Sequence, residues 1–193
     1  MPNDILESVK DFNTITIFRH VFADMDAIGS QFGLKYYLES VYPDKKIYCL
    51  GSNCPVSQRN NVEMDEVDDE VVASSLAIVL DTSNAARIDD DRYQLTKKSI
   101  RIDHHVQVET ICDEEWIDDK ASATCELLAL YLQEKKVNIP VESALMLYLG
   151  LTADNIRFTT NNVRPATFDA AKYLFEQGVD VTKVEQLNFS KSI

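Results

Sequence analysis

The sequence predicts an α/β fold, a mostly parallel, doubly wound β-sheet flanked by helices, with a helix-rich second half. Three observations predict it: short β-branched apolar runs, segments of helical period between them, and polar residues gathered just after the runs. Apolar runs without polar alternation are strands buried on both faces, as in a parallel sheet covered by helices.

A short amphipathic helix is expected near residues 4–11, followed by a strand over Thr14-Ile15-Thr16-Ile17-Phe18-Arg19. Residues 26–42 take a helical period with Ile28, Phe32, Tyr36 and Leu38 facing inward. Further strands are expected at Lys46–Leu50, Leu76–Leu80 and Ser99–Ile102, separated by stretches that suit a helix or a crossing loop. In the second half, Ala121–Lys136 reads as a helix capped by Ser122 or Thr124, and Pro140 suits the first turn of the next, which carries Ala144 to Leu151. Pro165–Gly178 reads as a third helix with Gly178 as its stop, and 181–193 as partly helical, without a docking element. Glu63 to Glu70 is an acidic stretch expected to be a solvated loop or helix face, and Trp116 is expected in the core or an interface, with base stacking as the alternative.

With 193 residues, 45% of them hydrophobic, and only 5 Gly and 5 Pro, the chain has the composition of one packed globular domain. The 32 acidic against 19 basic residues give a net charge of −13, which repels polyphosphate backbones and argues against long duplex nucleic acid as a partner. Carboxylates gathered around divalent cations would account for part of that charge. Cys49, Cys54, Cys112 and Cys125 form no C-x-x-C pair, which argues against a zinc ribbon or a disulfide framework and for reduced thiols in the cytoplasm. The acidic N-terminus lacks the plan of a signal peptide, and no apolar run approaches the ~18 residues of a membrane span, so a soluble protein without a membrane partner is expected.

Metal-competent residues fall where open parallel sheets place their ligands, just past the C-terminal ends of strands. His20, Asp24 and Asp26 follow the first strand, Asp81 the third, and Asp103-His104-His105 the fourth, while Asp154 follows an apolar helix and could fold back to the same rim. Carboxylate with imidazole suits manganese, cobalt, zinc or iron, and manganese is the leading candidate. Asp24 and Asp26, two residues apart, can serve neighbouring ions, and a bridging carboxylate would hold a pair about 3.5–4 Å apart. Two divalent ions would balance four aspartates, and phosphoester hydrolysis is the natural reaction of such a pair.

These residues fall into four motifs that together resemble the DHH phosphoesterases. They are His20-x-x-x-Asp24-x-Asp26-Ala27-Ile28-Gly29-Ser30, Val79-Leu80-Asp81-Thr82-Ser83, Ile102-Asp103-His104-His105, and Gly150-Leu151-Thr152-Ala153-Asp154 with Arg157-Phe158. The family includes nano-RNase/pAp phosphatases, single-strand exonucleases, cyclic-dinucleotide phosphodiesterases and family II inorganic pyrophosphatases. The resemblance implies that His20, Asp24 and Asp81 hold one metal, and that Asp26, Asp81, His104 and Asp154 hold the other, with Asp81 bridging. It implies that Asp103 orients its neighbours and that His105 faces the substrate phosphate or protonates the leaving oxygen. Arg87, Ser30 and Arg157 are the substrate-binding candidates, while Gly29 either permits close helix–sheet packing or approaches a phosphate.

Met25 and the pair Asn155-Ile156 depart from the family's frequent Asp-Gly-Asp and Asp-Thr-Gly. The nano-RNase-like members also carry a C-terminal DHH-associated domain that binds substrate, so residues 1–180 are expected to be the catalytic metal-binding domain and 181–193 the start of a linker to that domain. The implied function is hydrolysis of short oligoribonucleotides, 3′-phosphoadenosine 5′-phosphate or linear dinucleotides, with activity weak in the absence of the second domain. A family II-like inorganic pyrophosphatase, or a metal- or nucleotide-binding module without catalysis, is the alternative. Self-association into a homodimer stays open.

Overall fold

The computed structural model describes residues 4–189. Five strands, β1 (Thr14–Phe18), β2 (Lys46–Cys49), β3 (Leu76–Leu80), β4 (Lys98–Asp103) and β5 (Glu114–Ile117), form one sheet in the order β2-β1-β3-β4-β5. Every pairing is parallel. The chain leaves β1 towards β2 on one side and returns to β3 on the other, so the strand order reverses at β1 and opens a crevice at the strands' C-terminal ends.

Among the described residues, eight helices surround the sheet: α1 (Ile5–Lys10), α2 (Met25–Val41), α3 (Pro55–Arg59), α4 (Asp69–Ala73), α5 (Thr124–Glu134), α6 (Val141–Asp154), α7 (Pro165–Glu176) and α8 (Val181–Phe189). The two faces are covered unequally. Ile15, Ile17, Ile78, Leu80, Ile100 and Ile102 join one large core with α2, α5, α6 and α7. Phe18, Ala77 and Val79 meet a smaller core with Val72 of α4 and Tyr93 of the 3₁₀ turn Asp91–Leu95. Period-two alternation along β1 and β3 therefore separates two buried faces, which is why β3 is apolar throughout.

The expected elements are present with small shifts. Asp103 is the last residue of β4 and Asp154 the last of α6, and Pro140 is the N-cap of α6 rather than its first turn. Gly178, with φ +99°, follows α7 in the conformation expected of a helix stop. Within the acidic stretch, residues 63–68 are loop and Asp69 and Glu70 open α4. The strand β5 is absent from the expectation: Glu114-Glu115-Trp116-Ile117 is short, half-polar and partly buried throughout. Trp116 packs on the large core and against Tyr131, with ring centroids 5.9 Å apart. The segment 181–189, expected as partly helical and as the start of a linker, forms the helix α8, whose Val184 joins the core and whose Asn188 donates to the Leu149 carbonyl (2.8 Å). Residues 190–193 of that expected linker lie outside the described residues.

Two glycines set the approach of α2 to α6. A Cβ on Gly29 would stand 2.5 Å from the Met146 carbonyl oxygen, and one on Gly150 would stand 2.4 Å from Cys125 Sγ and 3.0 Å from the Met25 carbonyl oxygen. Gly29 thus serves packing, against a helix rather than the sheet. The close crossing brings the start of α2, with Asp26, to the end of α6, with Asp154.

Candidate metal centre

Six side chains from four segments meet at the crevice. Asp81 follows β3 with φ +54°, in the left-handed region that aspartate tolerates better than most residues. Its two carboxylate oxygens face opposite ways: Oδ2 is 3.4 Å from His20 Nε2, and Oδ1 is 3.4 Å from His104 Nε2. Asp24 Oδ2 lies 3.7 Å from His20 Nε2, while Asp26 Oδ2 and Asp154 Oδ2 lie 3.8 Å and 3.4 Å from His104 Nε2. Asp24 is the N-cap of α2 and exposed, whereas Asp26, half a turn on, points inward and is buried. The two aspartates therefore serve different clusters, as their spacing predicts.

Both histidines present Nε2 for the same reason. His20 Nδ1 donates to the Val21 carbonyl (2.6 Å) and His104 Nδ1 to the Ala121 carbonyl (3.3 Å), which orients each ring and leaves the other nitrogen facing the carboxylates. The sets His20, Asp24, Asp81 and Asp26, His104, Asp154 each offer three ligand atoms within 4.8 Å of one another. Donors about 2.0–2.2 Å from a shared ion stand about 3–3.5 Å apart, close to the spacing found here. Carboxylate oxygen and imidazole nitrogen without thiolate are the donors of a divalent first-row metal, so the residues fit the expected pair.

The electrostatics point the same way. Burial, together with the charges of Asp81 and Asp154, pushes Asp26 well above the carboxylate range, against the opposing pull of His104. Burial likewise raises Asp154 to about 6, with Asp81 and Asp24 adding to it against His104. Burial opposes charge on His20 and His104, yet the carboxylates around them outweigh it and raise each to about 10. Burial also works against an ionised Asp81, but the two imidazoles hold its pKa below the ordinary range. A crowd of buried carboxylates that is relieved only by positive charge is the electrostatic complement of bound cations.

Asp103 and His105 form a second unit beside the cluster. Asp103 Oδ1 accepts from His105 Nδ1 (2.7 Å) and from the His105 backbone N–H, while Oδ2 accepts from Arg101 Nη2 (2.7 Å). His105 is partly open, with its side chain 41% exposed. The remaining candidates are more dispersed. Ser30 is fully buried in α2, its hydroxyl donating to the Ala27 carbonyl, so a substrate does not reach it. Arg87 is exposed in the 3₁₀ turn Ala85–Arg87, whose last carbonyl accepts from Val21 N–H (2.7 Å). Arg157 pairs with Glu185 on the surface (2.9 Å). Met25 and Asn155 are structural: Met25 is buried, and Asn155 accepts from Phe158 N–H (2.8 Å) in the turn that follows α6.

Sequence reading misses two supports of the centre. The N-terminus of α5 has no local cap, neither Ser122 nor Thr124; instead Thr124 N–H and Cys125 N–H donate to the two oxygens of Asp26 (2.6 and 2.9 Å). Thr124 Oγ1 also donates to Asp81 Oδ1 (3.2 Å). The partners are separated by 98 and 99 residues, so no local pattern reveals them. Arg101 did leave a signal. A charge inside an apolar strand needs a partner, and period two puts Asp103 on the same face.

Comparison with known proteins agrees with this architecture. A family model described as "DHH family, N-terminal domain" matches residues 14–151. The Bacillus subtilis "Bifunctional oligoribonuclease and PAP phosphatase NrnA" is 36% identical over 179 residues, covering 91% of this chain and 57% of the relative. "Uncharacterized protein MG371" of Mycoplasma genitalium is 35% identical over 190 residues, covering 97% of this chain and 59% of the relative. The crystal structure of an exopolyphosphatase-related protein from Bacteroides fragilis shares the fold with a TM-score of 0.84 at 24% identity, over 97% of this chain and 60% of that one. The chain thus spans about three fifths of the length of these relatives.

Proposed function

This chain belongs to the DHH family, and from that premise we propose that it is the metal-binding half of a two-metal phosphoesterase that hydrolyses small phosphorylated nucleotides. The observation that carries the reading is Asp81, whose two oxygens face two separate histidine–carboxylate sets. His20, Asp24 and Asp81 would hold one ion, and Asp26, Asp81, His104 and Asp154 the other, with manganese favoured by the mixed oxygen and nitrogen donors. Bound there, the ions would lower the pKa of a coordinated water and neutralise charge on a phosphoryl oxygen.

The chain's own residues supply orientation and a proton. Arg101 fixes Asp103, and Asp103 holds Nδ1–H of His105, which leaves His105 Nε2 as the atom that passes a proton to the leaving oxygen. The exposed Arg87 beside the first-motif loop offers a positive charge to a phosphate. The printed activities of the NrnA relatives, together with a net charge of −13 that disfavours long nucleic acids, support short oligoribonucleotides or 3′-phosphoadenosine 5′-phosphate as substrates. The free thiols Cys49, Cys54, Cys112 and Cys125 support a cytoplasmic setting. No helix among the described residues is long and apolar enough to cross a membrane.

A substrate panel with manganese tests the proposal. Turnover of diribonucleotides or 3′-phosphoadenosine 5′-phosphate well above that of pyrophosphate is expected. Pyrophosphate turnover far above both would instead make the protein an inorganic pyrophosphatase.

A further inference from the structure

Against the loop that joins His20 to Asp24 lies a cavity of about 600 Å³, walled by Val21, Phe22 and Ala23 of that loop and by Cys54, Pro55 and Val56 at the start of α3. That volume falls in the range of small-molecule sites. Three of these wall residues sit between His20 and Asp24, both members of the metal cluster. The loop that carries two members of the metal cluster is thus also one wall of the cavity.

Phe22 is the feature the fold does not explain. It is 94% exposed, and its backbone sits at φ +54°, where a bulky side chain is strained. An aromatic ring held in that conformation at a cavity mouth, burying nothing, is a stacking surface without its partner.

The floor is built in advance. Arg19, 1% exposed, donates through Nη1 to Asp89 Oδ2 (2.7 Å) and to the His20 carbonyl (2.9 Å), and through Nη2 to the Ser52 carbonyl (2.5 Å). Ser52 N–H donates to the same Asp89 oxygen (2.6 Å). This network ties together the segments that follow β1, β2 and the turn Ala85–Arg87. It also pairs the Arg19 charge, so the cavity does not select an anion. Asn53, at the rim, accepts from Met64 N–H (3.0 Å) through Oδ1, which leaves its amide hydrogens for an acceptor. Apolar walls, a charge-paired floor, an open aromatic face and an amide donor suit a flat heteroaromatic ring with a polar edge better than a second phosphate.

We propose that this cavity is a base subsite, in which the nucleobase next to the reacting phosphate stacks on Phe22 and presents its edge to Asn53. The inference rests on the nucleotide-phosphoesterase reading and sharpens it, because a pyrophosphatase has no use for such a cavity. Calorimetry with manganese-loaded protein tests it, using adenosine 5′-monophosphate against ribose 5-phosphate, which has the same phosphate but no base. Wild type is expected to bind the nucleotide more tightly. Phe22→Ala, at an exposed position that folding does not depend on, should weaken nucleotide binding about tenfold, and Phe22→Tyr should restore it. Val56→Trp, which fills the cavity from the other wall, should remove the same advantage.

Equal affinity for the two ligands in wild type, or an adenosine 5′-monophosphate advantage unchanged in Phe22→Ala, overturns the subsite. Turnover measured in parallel separates this from the parent reading. A protein that hydrolyses no phosphoester but keeps a Phe22-dependent preference for the nucleotide retains the subsite and loses the phosphoesterase assignment. Dinucleotide turnover without any such preference does the reverse.

Discussion

At Asp81 the backbone passes through the left-handed region, at a cost of order 1–2 kcal/mol, and the buried carboxylate stands between two imidazoles. A residue held there for packing would gain nothing from such surroundings, whereas a bridging ligand needs both oxygens presented in opposite directions. His105 stands differently, partly open and oriented by Asp103, which is in turn fixed by the fully buried Arg101. His105→Ala should lower turnover about 10²–10⁴-fold while manganese affinity by calorimetry stays near wild type. A parallel loss of manganese would make His105 a ligand instead. At this scale most motif residues were legible because they sit at the ends of apolar strands, and Arg101 was recoverable from its charge in a buried strand. The amide donors of Thr124 and Cys125 were not, since any residue type supplies a backbone N–H.

Elements decide whether those residues meet. The α2–α6 crossing depends on Gly29 and Gly150, and it holds Asp26 and Asp154 on the same side of His104. Gly29→Ala places a methyl against a backbone carbonyl that cannot give way without moving the helix. A loss of about 1–3 kcal/mol in urea unfolding and a weaker manganese affinity are expected, and an unchanged affinity would separate the crossing from the centre. On the far side of α5, Arg164 joins α7 to Asp118 (2.7 Å) and to the buried Glu126 (2.8 Å). Partial burial works against charge on Asp118, but the hydrogen bond from Arg164 outweighs it and holds the pKa below 3.8. Because the folded pKa is the lower one, this pair's contribution is full above 3.8 and is lost as the pH falls through the depressed value. Asp118→Asn should therefore lower the unfolding free energy at pH 7 by less than about 1 kcal/mol for a pair that solvent partly screens, read as a slightly lower Tm. The gap to wild type should close in acid, and a gap that persists there would remove the ion pair as its cause. Among the elements, β1, β3 and β4 were readable as buried strands and α2 by its period. The edge strand β5 was not, because its four half-polar residues match a loop as well as a strand, and α5 was misread at its start because its cap is the distant Asp26.

The whole molecule is a scaffold for one rim. Strands β1, β3 and β4 end there, and helices α2, α5 and α6 reach it from the larger core. The negative charge of the chain is partly explained by the acids collected at this point, and it becomes compatible with a phosphate substrate only when cations occupy their midst. The unequal covering of the two sheet faces was not visible in the sequence, since apolar runs report burial without telling what buries them. The parallel sheet and the convergence at the rim were visible, because the ends of β1, β3 and β4 announced their ligands. The most direct test of this arrangement is the manganese stoichiometry of metal-stripped and reloaded protein, measured by calorimetry with elemental analysis, for wild type and Asp81→Ala. Two ions per chain in wild type, with binding lost or strongly weakened at both sites in Asp81→Ala, are expected of a carboxylate shared between them. Two ions bound with wild-type affinity in Asp81→Ala would contradict it.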